Sequence, residues 1–81
     1  MDIDKKALGQ RIKSVRKAKG LTLEEFGKLF DSPASRGVVS NWERGNNVPN
    51  NESLKIIAEL WEISVDELLY GNVESFVTDV Y

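Results

Sequence analysis

Residues 22–45 read TLEEFGKLFDSPASRGVVSNWERG, and the fold is decided in this stretch. Thr22 stands three residues before Glu25, the spacing of a capping box, in which a hydroxyl and a carboxylate each satisfy a free N–H at a helix start. The spacing predicts a helix that turns Leu23, Phe26, Leu29 and Phe30 inward. It ends at Asp31-Ser32-Pro33, because Pro33 pushes the residue before it out of the helical region. Ser35 is placed to cap a following helix that runs to about Arg44. Val39 and Trp42, three apart, give that helix an inner face, and Gly45 stops it. Two short helices joined by a polar turn, inside an all-helical chain, make a helix-turn-helix unit.

The flanks agree with that reading. On the N-terminal side, Leu8, Ile12 and Val15 fall at i, i+4 and i+7 within residues 4–19, the stripe of an amphipathic helix, and Gly20 closes it. Lys5, Lys6, Lys13, Arg16, Lys17 and Lys19 crowd the same segment. On the C-terminal side, Asn46-Asn47-Val48-Pro49 reads as a loop. A helix over about 51–61 follows, with Leu54, Ile57, Ala58 and Trp61 on one stripe. Ser64 and Glu67 form a second capping box and open a short helix ending at Tyr70, before Gly71. No segment alternates with period two for long enough to be a strand. The predicted fold class is therefore all-α, a compact five-helix domain over residues 1–71. The tail, 72–81, carries Val73, Phe76, Val77, Val80 and Tyr81 at helical spacing, although valines are poor helix formers. Two readings of it stay open: a short extra helix that packs on the core or pairs with a second copy, or the start of a linker.

Composition narrows the function classes. The chain has 81 residues, enough for one small domain. It has no cysteine, hence neither disulfides nor a thiol nucleophile, and no histidine, the commonest general base and zinc ligand. No glycine-rich phosphate loop or metal-ligand cluster is present. Glu24-Glu25 does not make a catalytic carboxylate pair, since adjacent residues diverge on a helix and capping accounts for Glu25. The expectation is a binding domain that is not an enzyme and takes neither cofactor nor metal. No apolar run approaches a membrane span and no signal-like stretch opens the chain, so the expected compartment is the cytoplasm.

The net charge of −2 points away from nucleic acid until it is placed along the chain. Residues 1–45 hold ten Lys/Arg against six Asp/Glu, a net of +4, whereas residues 46–81 hold one Lys against seven Asp/Glu, a net of −6. The basic half is the one that carries the helix-turn-helix. On the helix after Ser35, the side opposite Val39 and Trp42 presents Arg36, Gly37, Ser40, Asn41 and Arg44, with Val38 at its margin. Arg36 has the paired donors that match guanine O6 and N7. Asn41 has the donor and acceptor that match adenine N6 and N7, or it can hold a phosphate, and Val38 has methyls suited to thymine. Gly37 weakens a helix by about 1 kcal/mol relative to alanine, which suggests that something approaches its backbone closely.

From Leu8 to Gly71 the sequence resembles the helix-turn-helix domain of lambdoid phage repressors, Cro proteins and Xre-type bacterial regulators. The resemblance rests on an ordered set of motifs: Arg11-Ile12-Lys13-Ser14-Val15-Arg16, Gly20-Leu21-Thr22-Leu23-Glu24-Glu25-Phe26-Gly27, Val39-Ser40-Asn41-Trp42-Glu43-Arg44-Gly45, Val48-Pro49, Ile57-Ala58 and Ser64 through Gly71. It implies a lambda-repressor-like fold and base contacts from Arg36, Gly37 and Asn41, joined by Ser35 and Val38. It implies phosphate contacts from Thr22, Ser40, Arg44, Asn46, Asn47 and Asn50, and a structural ion pair between Arg16 and Glu43. It further implies a homodimer on a pseudo-palindromic operator, with half-sites about 34 Å apart. Leu69 and Tyr70, with Phe76 and Val77 of the tail, are the candidate dimer contacts. A further C-terminal domain, common among relatives, would suit the valine-rich exit. Two departures stand out. Leu23 occupies the place where the family has a phosphate-binding glutamine, and the turn at 31–34 is about two residues longer than usual. The functional expectation is sequence-specific binding of double-stranded DNA by a transcriptional regulator of repressor type. The alternative is a protein-interaction module, an antitoxin or partner-binding regulator, using the acidic second half.

Overall fold

The computed structural model describes residues 3–71. Its elements are α1 (Lys5–Ala18), α2 (Leu23–Gly27), α3 (Arg36–Glu43), α4 (Asn51–Trp61) and α5 (Val65–Tyr70), and no strand occurs among the described residues. The expectations for the tail, including the extra helix and Phe76 and Val77, fall on 72–81, outside the described residues.

Each helix starts on a side chain that accepts from a backbone N–H three residues on: Asp4, Thr22, Ser35, Asn50 and Ser64. Thr22/Glu25 and Ser64/Glu67 complete both halves of the capping box. Helices α1 and α3 end alike. Gly20 and Gly45 take positive φ of 70° and 81°. Behind them Leu21 N–H donates to the Arg16 carbonyl at 3.1 Å and Asn46 N–H to the Asn41 carbonyl at 2.9 Å, the Schellman pattern.

One core joins the five helices. Leu8, Ile12 and Val15 from α1 meet Phe26, Phe30, Val39, Trp42, Leu54, Ile57, Ala58 and Leu68. Phe30 stands edge-on to Phe26 at 5.4 Å and to Trp42 at 5.3 Å between ring centroids, so the turn after α2 is anchored by an aromatic row. Helix α1 lies along α3, α2 packs on α3, and α4 on α5. The close approach of α1 to α3 depends on Gly9. A Cβ there would stand 2.5 Å from the carbonyl oxygens of Trp42 and Glu43.

Three local expectations are corrected. The helix begun at Thr22 does not reach Phe30 but stops at Gly27. Lys28 N–H is shared among preceding carbonyls, and Leu29 N–H bonds to Phe26, three residues back, so the turn tightens. The tightening swings Phe30 inward and leaves Leu29 42% exposed rather than inward. Trp61 continues the stripe of α4 on paper, yet it is the helix's last residue, beyond the reach of the core, and is 38% exposed.

Candidate nucleic-acid interface

The unit α2–turn–α3 is held by backbone contact. Ala34 N–H donates to the Gly27 carbonyl at 2.9 Å, and a Cβ on Gly27 would lie on the Ala34 carbonyl oxygen. Only glycine permits the return of the long turn onto α2. Residues 28–35 therefore lie between the helices, and α3 is fixed from its inner side by Val39 and Trp42, both buried.

A salt bridge locks the other end of α3 to α1. Arg16 Nε donates to Glu43 Oε2 at 2.6 Å, Nη2 to Oε1 at 3.2 Å, and Nη1 to the Leu21 carbonyl at 2.9 Å. Only 13% and 6% of the two side chains is exposed. The hydrogen bond that Arg16 donates to Glu43 holds the guanidinium pKa above its ordinary value, against the opposing effect of burial. A two-pronged pair of this kind sets the rotation of α3 about its axis and with it the direction of its outer face.

On that outer face Arg36, Gly37 and Val38 form the first turn and are exposed, while Ser40 and Asn41 are partly buried and Arg44 is exposed. Arg36 makes no hydrogen bond or ion pair with any described residue. Gly37 has open space where a Cβ would be, its nearest neighbour being Ser35 Oγ at 3.9 Å. Thus nothing in the described fold requires glycine there. Arg36 also lines an open groove of about 460 Å³ between the starts of α2 and α3, together with Arg16, Thr22, Leu23 and Glu24.

The remaining expected contacts are partly occupied. Ser35 Oγ accepts from Val38 N–H at 3.2 Å, Thr22 Oγ1 from Glu25 N–H at 3.1 Å, and Asn50 Oδ1 from Ser53 N–H at 2.9 Å. Capping thus uses the acceptor side of these groups and leaves the Ser35 hydroxyl proton and the Asn50 amide NH2 as donors, which is the polarity a phosphate oxygen requires. Asn41 Oδ1 accepts from Arg44 Nη2 at 3.2 Å and from Asn46 Nδ2 at 3.3 Å. Leu69 packs partly against the core, whereas Tyr70 is 42% exposed.

Sequence reasoning missed three supporting residues. Gly9 and Gly27 were legible as glycines within helical patterns, a signal of close approach, but the partner in each case is distant in sequence or across the turn. Arg11 reaches across the domain to the end of α5, where Nη1 donates to the carbonyls of Leu68 at 3.1 Å and Leu69 at 3.3 Å. No local pattern announces that contact.

The architecture is that of a helix-turn-helix domain, with α3 as the helix presented outward. The pattern of the helix-turn-helix family matches residues 12–68, and the chain belongs to that family. It is 37% identical over 62 residues to the HTH-type transcriptional activator BcrR of Enterococcus faecalis, covering 76% of this chain and 29% of that protein. It is 38% identical over 60 residues to the uncharacterized HTH-type transcriptional regulator YazB of Bacillus subtilis, covering 74% of this chain and 84% of that one. Among solved structures it is similar to the P22 c2 repressor protein, crystallised in complex with a synthetic operator. That match has a TM-score of 0.70 at 32% identity and covers 80% of this chain and 96% of the other. The chain thus spans less than a third of the activator's length and most of YazB's.

Proposed function

We propose that this domain binds double-stranded DNA in a sequence-dependent manner as a transcriptional regulator of repressor type, and that it performs no chemistry. The observation that carries the reading is the outer face of α3. An Arg36 with no partner among the described residues, a bare Gly37 backbone and an exposed Val38 are presented together by a helix whose inner side is rigidly held. The likeness to a repressor domain crystallised on an operator supports it. In this reading α3 enters the major groove. Arg36 reads guanine, Val38 and the Gly37 backbone meet neighbouring base edges, and Ser35 donates its hydroxyl proton. Thr22, Ser40, Arg44, Asn46, Asn47 and Asn50 hold phosphates. A homodimer on a pseudo-palindromic site, working in the cytoplasm, completes the proposal. The exposed Tyr70 beside Leu69 is the described part of its contact.

The test is duplex binding across a salt series after selection from a random pool. Log affinity falls linearly with log salt. Arg36→Ala relaxes preference at one base position and loses about 1–3 kcal/mol on the selected site, whereas Arg44→Ala weakens all duplexes alike and reduces the salt slope by about one. Affinity that is flat across salt on every duplex refutes the reading. Equal effects of the two variants on preference reject the assigned roles.

A further inference from the structure

The C-terminal end of α3 is organised around one side chain. Asn41 Oδ1 receives Arg44 Nη2 at 3.2 Å and Asn46 Nδ2 at 3.3 Å, while its backbone carbonyl receives Asn46 N–H at 2.9 Å and Asn47 N–H at 3.4 Å. The backbone bond from Asn46 belongs to the Schellman end that any sequence with Gly45 could form. The two side-chain bonds are specific to this residue. They tie together two of the groups assigned above to phosphate, Arg44 and Asn46. Resting on the DNA-binding reading, we propose that Asn41 is a positioning residue for a phosphate clamp made of Arg44 and Asn46, and that it does not read a base.

The chemistry favours this division. To pair with adenine N6 and N7, an asparagine must offer its Oδ1 as acceptor and its Nδ2 as donor at once. Here the acceptor already holds two donors, and freeing it would release a guanidinium and an amide from their pose. Accepting at Oδ1 uses one N–H of Arg44 and one of Asn46 and leaves their remaining N–H groups as donors for a phosphate oxygen, which only accepts. A fixed guanidinium also loses less conformational freedom on binding than a free one. Base reading then concentrates at the other end of α3, on Arg36, Gly37 and Val38, and the helix divides into a reading end and a gripping end.

The experiment compares wild type, Asn41→Ala, Arg44→Ala and the double variant on the selected duplex and on unrelated duplexes, across salt. Asn41→Ala weakens every duplex by about three- to tenfold, the scale of one or two net hydrogen bonds. It reduces the slope of log affinity against log salt by up to about one, keeps the selected base preferences, and adds little once Arg44 is alanine. A change of preference at one base position with the slope intact overturns the proposal and restores Asn41 as a base reader. Losses that multiply with Arg44→Ala at unchanged slope, beside a lowered unfolding midpoint, also overturn it, since they mark a role in stability alone. In the free protein, Asn41→Ala shifts the NMR signals of the Asn46 side-chain amide, and unshifted signals count against the clamp. Wild-type protein that binds no duplex refutes the DNA-binding reading itself. Binding by the wild type with altered preference in Asn41→Ala refutes only this proposal.

Discussion

The two faces of α3 obey different logics. On the inner face every residue has a reason inside the molecule: Val39 and Trp42 are buried in the core, Glu43 is held by Arg16, and the backbone carbonyls of Trp42 and Glu43 lie against Gly9. On the outer face, Arg36 has no partner and Gly37 no steric need to be glycine among the described residues. One helix of eight residues thus joins a side whose composition the fold explains to a side that it leaves unexplained. The contrast teaches where to look for function. A residue that neither packs nor pairs, on a helix that is otherwise rigidly held, is explained by what lies outside the domain. The same contrast can be attacked by mutation, and the inner face should yield the larger effects on stability.

The largest is expected at the α1–α3 salt bridge. Glu43→Ala leaves Arg16, whose side chain is 13% exposed in the intact pair, with the Leu21 carbonyl as its remaining partner, and breaking one side of such a largely buried pair costs up to about 3–5 kcal/mol. Urea unfolding measures it. A loss of a few tenths would show that the pair is as weak as an exposed one and that packing alone orients α3. The exposed pair Glu24–Lys28, at 3.9 Å, serves as the control, since its removal should be nearly silent.

A pair of glycines sharpens the comparison further. Gly27→Ala drives a Cβ into the Ala34 carbonyl, a backbone atom that cannot move without shifting the turn, and overpacking of this kind costs about 1–3 kcal/mol. Gly37→Ala meets open space, and by helix propensity it stabilises the free domain by up to about 1 kcal/mol. The two substitutions therefore move the thermal midpoint in opposite directions. If Gly37 is there for the duplex, Gly37→Ala also weakens binding on the selected site while raising stability. A variant that gained stability and kept full affinity would remove Gly37 from the interface.

Much of this architecture was legible in the sequence because its signals are local. Hydroxyl-to-carboxylate spacing located the starts of α2 and α5, Ser35 that of α3, and Gly20 and Gly45 the ends of α1 and α3. Where the determinant is a neighbour distant in sequence, pattern reading failed. Leu29 and Trp61 fit an apolar stripe, but the chain leaves the helical path at one and the core ends before the other. Asn50 carried no capping signature beyond its residue type, and α4 is capped after Trp61 by Glu62 at φ 58° with no glycine to announce it. For the candidate interface, the outward set on α3 followed from periodicity. The engagement of Asn41 Oδ1 did not, because it depends on which way Arg44 and Asn46 turn at the helix end.

The smallest expected effect lies at the start of α2, on the rim of the same groove that Arg36 lines. Thr22 N–H donates to Glu25 Oε1 at 2.9 Å, and this bond, reinforced by the Thr22 hydroxyl, holds the Glu25 carboxyl below its ordinary pKa of 4.5. A carboxyl whose pKa is lowered by folding contributes stability above its unfolded pKa, and the contribution is lost as pH falls through the folded value. Glu25→Gln keeps an oxygen that can accept from Thr22 but removes the charge and its favourable interaction with the helix start. Wild type should therefore be slightly more stable than Glu25→Gln at pH 7, and the gap should close on acidification below 4.5. Paired urea midpoints at the two ends of that range measure it. A gap that persists unchanged in acid would mean that the box acts through hydrogen-bond geometry alone. The rim of the groove would then be set by the same pH-independent packing that holds the inner face of α3.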